Sequence, residues 1–524
     1  MRRRTFVKGL SFGLTAASAG VAAVNLFSPA ESLKANQLKA ISDYNRLNIP
    51  PLLENPYARR YKVPPMYVQD TLYEFYSGKP SSAVGISTLY SQSSYLGPTI
   101  KVKRGDVVDF EMYNLRQEEV TNHWHGLHIP GYIDGGPHQV INAGEKLNTT
   151  MHINQEASTS WYHSHTCEKT AEQVYMGHAG MFIIEDEHAK SLGLPDIYGV
   201  NDIPIIFQDK IIDDTGQQIY DTRGKPVFLG DKYLVNGTMN AYSIVPPGWV
   251  RLRILNASNG RDFEIFFLDE RPFWIIASDG GFLNQPVKKE SLLIAPGERF
   301  EIMVNFTDEP GIISNFYAKT IIDLQYEEEF ELLCLVTSTI PGPPTTLPEQ
   351  LRSELIDWET AAANAPAVTR KFNLSASADM SEHYINDKLF DMRVINHAIP
   401  IDTYEVWEIT STSGPHPFHV HGCSFLILSI NGKPPGMEYR SWKDVVHHTP
   451  PDLSPGTPPD PGQVFSAKIL IKFSYPTYRN PKNPVKGKEA AKILANHMPY
   501  MYHCHFLEHE DKGMMGQFTV YHDK

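Results

Sequence analysis

The sequence predicts an all-β protein of about three sandwich domains, and three observations carry that prediction. The chain has 524 residues, which at roughly 100–200 residues per domain allows about three units. Short runs rich in Val, Ile, Tyr and Phe are broken throughout by 39 Pro and 36 Gly, the pattern of brief strands closed by turns. Three segments form a weak internal repeat: Lys103 to Phe110, Pro246 to Arg253 and Ile401 to Glu408. Each places a turn before an alternating strand, and repeats of this kind point to a duplicated unit.

Taken from the N-terminus, the chain opens Met1-Arg2-Arg3-Arg4-Thr5-Phe6-Val7-Lys8, followed by a mildly apolar stretch from Gly9 to Phe27 and then Ser28-Pro29-Ala30. A twin arginine before such a stretch reads as a Tat-type signal peptide over residues 1–30, cleaved near Ala30. The stretch is rich in Gly, Ala and Ser, and falls short of the roughly 20 strongly apolar residues that a membrane span needs. The expected location is the periplasm or the outside of a bacterium, with no membrane attachment after cleavage. The formal charge is −13, and no basic block stands out, which argues against a nucleic-acid partner. The Lys-containing stretch 480–492 reads as a solvated loop. Ile340 to Pro348 is Pro-rich and reads as a linker, and the Pro-rich stretch Thr449 to Gln463 as a surface loop.

Function is carried by histidine spacing. His-x-His occurs four times, at His123/His125, His163/His165, His419/His421 and His503/His505, where about 0.8 such pairs are expected by chance (roughly 524 × 0.04 × 0.04). On a strand, alternate side chains share a face, so each pair presents two imidazoles together. His503 and His505 then point one way while Cys504 between them points the other. Two metal sites can therefore sit one residue apart. Cys504, a histidine or two and the weak thioether of Met514 form the donor set of a blue-copper electron-transfer site. Structural zinc would need clustered cysteines. The four here, at 167, 334, 423 and 504, are far apart. An oxidising compartment would permit one disulfide among Cys167, Cys334 and Cys423, but sequence does not say which pair, if any.

These segments resemble the four copper-binding motifs of multicopper oxidases, in family order: His123-Trp124-His125-Gly126; His163-Ser164-His165; His416-Pro417-Phe418-His419-Val420-His421; and His503-Cys504-His505 running on to His509 and Met514. Residues 45–524 share the resemblance, and Asp134-Gly135-Gly136-Pro137 and Leu507-Glu508-His509-Glu510-Asp511 are similar to the bacterial branch containing laccases, cuprous oxidases and bilirubin oxidases. The resemblance implies three cupredoxin-like Greek-key β-sandwich domains, over 45–195, 200–340 and 355–524. It implies four coppers. His416, Cys504 and His509 would hold the type 1 ion with Met514 axial. His123 and His419 would hold the type 2 ion. His125, His163 and His505 would hold one type 3 ion, and His165, His421 and His503 the other. Met515 is expected to pack rather than ligate, and the remaining histidines, His447 and His448 among them, to be surface or structural.

The activity that the resemblance implies is oxidation of a small reducing substrate coupled to reduction of dioxygen to water. Asp134 and Glu510 match family acids that relay protons to the cluster. The substrate is a phenol or aromatic amine, cuprous ion, or a pigment such as bilirubin. The absence of a Met-rich tract, and of Asp or Met in Thr412-Ser413-Gly414-Pro415, departs from the cuprous-oxidase pattern. The middle unit carries no motif and is expected to be structural. The loop Tyr475 to Pro499 is expected to frame the substrate site. The family default is a monomer. From another class, an exported cell-division factor of this fold that has lost its coppers, or a copper carrier, would lack part of the ligand set.

Overall fold

The computed structural model describes residues 33, 35–55, 59–91, 94–306, 313–322, 326–448, 463–479, 486–490, 492 and 497–523. The leader expected over residues 1–30 and most of the Pro-rich loop after Thr449 lie outside them. Among the described residues no helix is long and apolar enough to cross a membrane.

Among the described residues strands dominate, and they assemble into six sheets. Each successive pair of sheets closes on one apolar core. In the first unit the four-stranded sheet contains Thr99–Lys103 (β1), Ser158–His163 (β3) and Ala179–Glu185 (β4), while the facing sheet contains Val107–Asn114 (β2). Their core interleaves Ile100, Val102, Phe182 and Ile184 with Val108, Phe110 and Met112. The strict alternation of β2, with Val108, Phe110, Met112 and Asn114 buried and the residues between them half-buried, is the period-two pattern of a strand with one face in a core. A short helix, Thr170–Met176 (α1), bridges β3 and β4.

The middle unit pairs a seven-stranded sheet, including Arg299–Asn305 (β5), with a six-stranded one. Its core is the largest, running from Ile203 and Ile205 to Phe316 and Leu333. The chain enters through this unit: Asn45 and Arg46 pair in parallel with Ala241 and Tyr242.

The third unit carries Pro417–Val420 (β6), Val445–His447 (β7), Tyr500–Cys504 (β8), the short helix Leu507–Asp511 (α2) and Met515–Tyr521 (β9). β6 lies between β7 and β8, and β9 pairs on the far side of β8. Trp407 anchors its core, with no exposed surface, ring contacts to Phe372, Tyr502 and Phe518 at 4.8, 6.1 and 5.8 Å, and its indole N–H donated to Glu405 at 2.7 Å. Tyr502 belongs to β8, so this core fixes the strand that bears the Cys504 motif.

Trp407→Ala should therefore lower the urea stability of the protein by about 3–5 kcal/mol, the usual cost of truncating a buried aromatic. A change below about 1 kcal/mol would mean that Trp407 does not carry this packing.

Candidate metal centre

Two strand pairings bring the histidine motifs together. In the first unit His123 bridges His163, with reciprocal backbone bonds of 2.8 and 3.1 Å. In the third, β6 pairs β8 so that His419 faces His503 and Phe418 faces Cys504. Alternation along β8 then puts the thiol and the imidazoles on opposite faces.

On the thiol face, α2 turns the chain back so that His509 returns to Cys504. Cys504 Sγ lies 3.4 Å from His416 Nδ1 and 3.7 Å from His509 Nδ1, and the two nitrogens are 3.3 Å apart. The backbone N–H of Phe506 donates to the sulfur at 3.4 Å. Ser413 Oγ is 3.2 Å from the outer nitrogen of His416, Nε2. Met514 is fully buried in the same core as Cys504, and its carbonyl accepts from the Cys504 N–H at 3.1 Å. Met515 lies opposite His503 in the strand register. Burial pushes the Cys504 thiol well up, and burial with neighbouring His448 and His383 lowers His416 to about 3. A neutral thiol and neutral imidazoles, buried and in contact, suit a soft cation that would take the thiolate form.

On the other face eight imidazoles converge between the first and third units. His125, His163 and His505 form one triad of donor atoms within 4.8 Å of one another; His165, His421 and His503 form a second; His123, His125 and His419 form a third. His421 Nε2 lies 3.2 Å from both His165 Nε2 and His503 Nε2. Burial lowers His125, His163, His165, His419, His421 and His505 below the ordinary imidazole range, and the neighbouring rings lower them further. His123 Nε2, His125 Nδ1, His163 Nε2, His419 Nε2 and both His505 nitrogens are buried without a hydrogen-bond partner. Orphaned buried nitrogens on this scale are costly and fit a pocket built to surround metal ions. The structure thus brings together the histidines named by the motifs: His416/Cys504/His509, His125/His163/His505 and His165/His421/His503 recur as groups, and His123 and His419 meet with His125.

The two expected acids also reach the site. Asp134 Oδ2 is 2.7 Å from His421 Nδ1, and the Asp134 carbonyl accepts from His123 Nδ1 at 2.9 Å. Burial raises its carboxyl above the usual range, against the pull of His123. Glu510 sits between the two units, with Oε1 3.2 Å from His165 Nδ1 and Oε2 3.1 Å from His503 Nδ1. Burial alone would raise Glu510, but His165 and His503 outweigh it and hold the carboxyl down at about 2. Gly135 (φ +87°) fixes the turn after Asp134: a Cβ there would lie 1.8 Å from the Asn122 carbonyl oxygen.

Several contributors are invisible in the motifs. Asp444 Oδ1 lies 3.0 Å from His125 Nε2, and the Asp444 carbonyl accepts from His419 Nδ1 at 2.8 Å. Asp511 accepts from the Thr170 and Ala171 N–H groups of α1 at 3.0 and 2.8 Å, tying the two ligand-bearing units together. Trp161 stacks on His163 with centroids 4.0 Å apart. His383 stacks on His509 at 4.0 Å. His448 is buried and its Nδ1 accepts from the His416 N–H at 3.3 Å, which makes it a structural support. The one available signal was Lys443-Asp444 set between Trp442 and Val445-Val446, a charge pair entering an apolar strand.

The middle unit, which carries no copper motif, reaches the site through structural contacts: its Arg299 clamps Asp444, and its Asn259 holds α2 by accepting from the Leu507 N–H at 3.0 Å and donating to Glu508 at 2.8 Å. The middle of the Tyr475 to Pro499 loop, residues 480–485, 491 and 493–496, lies outside the described residues, and its base is placed as follows. Tyr478 bridges His497, Thr477 donates its N–H to Val520, and the Met498 carbonyl packs on Gly131. That is the start of β8, about 13 Å along the strand from Cys504 at 3.3 Å per residue. Cys167, Cys334 and Cys423 are free thiols.

Three multicopper oxidase family models match the chain, over residues 78–189, 202–328, and 363–452 with 484–524. The cell division protein FtsP of Escherichia coli is 35% identical over 95% of this chain and 96% of its own length. The multicopper oxidase mco of Staphylococcus aureus is 33% identical over 88% of this chain and 89% of its own. Among solved structures, the laccase-like multicopper oxidase CueO from Ochrobactrum sp. superposes with a TM-score of 0.76 at 33% identity, covering 90% of this chain and all of that one. The McoA multicopper oxidase of Aquifex aeolicus gives 0.75 at 29%, covering 91% and 99%. The fold and the paired donor sets define a copper protein built of three cupredoxin-like β-sandwiches. The chain belongs to the multicopper oxidase family.

The buried histidines make the copper-free protein acid-sensitive. Burial holds His178, His447 and His448 at about 3, against about 6.5 in an unfolded chain. The unfolded chain then binds more protons below pH 6.5, so stability is full above that pH and falls as pH drops toward 3. Each group contributes up to about 1.4 kcal/mol per pH unit. Urea midpoints of copper-free protein should drop steadily between pH 7 and pH 5. A flat or rising midpoint would contradict burial of these rings in neutral form.

Proposed function

We propose that this protein is a copper-dependent oxidase that takes single electrons from phenols or aromatic amines, in the manner of a laccase, and reduces dioxygen to water. The observation that carries the reading is Cys504, one residue from a histidine on either side, with a complete donor set on each face of its strand. Copper bound in those sets supplies one-electron oxidation of the donor and four-electron reduction of oxygen.

In this reading four ions bind. His416, Cys504 and His509 would hold the type 1 ion, with Met514 as a further, weak donor. His123 and His419 hold the type 2 ion, and the triads His125/His163/His505 and His165/His421/His503 hold the type 3 pair. The backbone between Cys504 and its two flanking histidines is the shortest covalent link between the donor sets. Asp134 and Glu510 hold protons beside the cluster, at His421 Nδ1 and at His165 and His503 Nδ1 respectively. Asp134 Oδ1 has no partner and is the atom available to carry one. The dry walls set potential and access, and the metal carries the chemistry. Export by the Tat route and release from the membrane after cleavage belong to the same proposal, supported by the Arg-rich N-terminal sequence; a monomeric state is the family default.

Cuprous ion and a bilirubin-like pigment are the alternative donors within this class. The likeness to FtsP supports a second reading, an exported cell-division protein without turnover. The complete ligand set favours the oxidase.

Copper-loaded protein should show a strong blue Cu–thiolate band and consume oxygen with a phenol faster than with cuprous ion. Cys504→Ser should abolish the band and the uptake. Asp134→Asn and Glu510→Gln should keep the band and lower kcat by about 100-fold or more. Loaded protein that consumes no oxygen with a phenol, a diamine or cuprous ion would reject the oxidase and favour the cell-division reading.

A further inference from the structure

Among the seven cluster histidines with one nitrogen held by a backbone carbonyl or carboxylate, one stands reversed. His123, His163, His419 and His503 each give Nδ1 to a backbone carbonyl, at 2.9, 2.7, 2.8 and 3.0 Å. His421 and His165 place Nδ1 on Asp134 and Glu510. In all six the other nitrogen, Nε2, is left to face the pocket. His125 has the opposite arrangement: its Nε2 meets Asp444 Oδ1 at 3.0 Å, and its Nδ1 is buried without a partner. A carboxylate only accepts hydrogen bonds, so Asp444 fixes the proton on Nε2 and with it the orientation of the ring.

Asp444 is itself held from the middle unit. Arg299 Nη1 donates to Oδ1 at 2.6 Å and Nη2 to Oδ2 at 2.5 Å, a bidentate fork. The remaining donors of the guanidinium are used as well. Nε goes to the Thr159 carbonyl at 3.1 Å, Nη1 to Gly297 at 2.9 Å and Nη2 to Asp279 at 3.3 Å. All five N–H donors of an arginine are thereby satisfied, and the side chain has no exposed surface. Asp279, also of the middle unit, accepts from the backbone N–H groups of Asp444 and Val445 at 3.2 Å each. The same segment touches a further ligand: a Cβ at Gly297 (φ +84°) would lie 2.8 Å from the His505 ring. His125, His419 and His505 are thus all set from one side, by residues that reach back to Gly297 and Arg299.

We propose that the middle unit, although it supplies no ligand, positions the trinuclear site: Arg299 orients Asp444, Asp444 holds the ring of His125 in place through its Nε2, and Gly297 leaves the room that His505 needs. Arg299 and Asp444 are positioning residues for the cluster and have no part in the type 1 site, whose donors they do not touch. The inference rests on the reading of the eight imidazoles as a copper cluster.

The test compares copper per chain, the type 2 EPR signal and the blue band in wild type, Arg299→Met, Arg299→Lys, Gly297→Ala and a control, Arg261→Met. The control breaks another buried pair of the middle unit, Arg261 with Asp209 at 2.8 Å, away from the cluster. Arg299→Met and Gly297→Ala should keep the blue band and bind cluster copper about 10–100-fold more weakly, the usual effect of losing a group that orients a ligand, with the type 2 signal lost or altered. Arg299→Lys, which keeps the charge without the fork, should still show an altered type 2 signal, and it serves if Arg299→Met does not fold. Arg261→Met should keep the full copper complement at reduced thermal stability. Retention of the wild-type copper count and type 2 signal in the Arg299 and Gly297 variants would overturn the inference, as would equal copper loss in Arg261→Met. A wild type that loads only the blue site would instead reject the cluster reading beneath it.

Discussion

The structure depends on holding eight imidazoles, desolvated, at the junction of two β-sandwiches. Neither unit can do this alone. His123, His125, His163 and His165 come from the first, and His419, His421, His503 and His505 from the third. Docking of the two units therefore creates the pocket, and the pocket in turn strains the docking, because buried nitrogens without partners are costly. Bound metal would relieve that cost, so metal affinity and interface stability are one quantity seen from two sides.

Charged residues reinforce the junction from behind. Glu510 and Asp511, adjacent on α2, reach across to His165 and to the first turn of α1. Arg299, Asp279, Lys443, Glu298 and Asp444 form a fully buried ionic network between the middle and third units. Breaking one partner of such a network leaves an uncompensated charge, whereas the intact network adds little net stability. Its retention here is explained by the geometry it imposes on Asp444 and, through Asp444, on His125. The stacked Trp161 and His383 act similarly by contact, limiting the rotation of His163 and His509.

Much of this was legible in sequence because the ligand motifs are local. A period-two spacing on a strand decides which side chains share a face, and it needs no knowledge of the rest of the fold. The division of Cys504 from His503 and His505 rests on that alone. The all-β class was legible for the same reason, as alternation punctuated by Pro and Gly. The middle unit's contribution was not. Arg299 and Asp444 are 145 residues apart, and neither lies in a recurring pattern. Their meeting is a consequence of how three sandwiches dock. The parallel pairing of Asn45 with Ala241 is equally non-local.

Diffraction from copper-loaded crystals, with anomalous differences collected on either side of the copper edge, is the most direct test of the eight-imidazole pocket as a metal cluster. One peak is expected among His416, Cys504 and His509, and three peaks enclosed by the eight imidazoles. An imidazole pocket without copper peaks, in crystals whose Cys504 site is filled, would contradict the cluster.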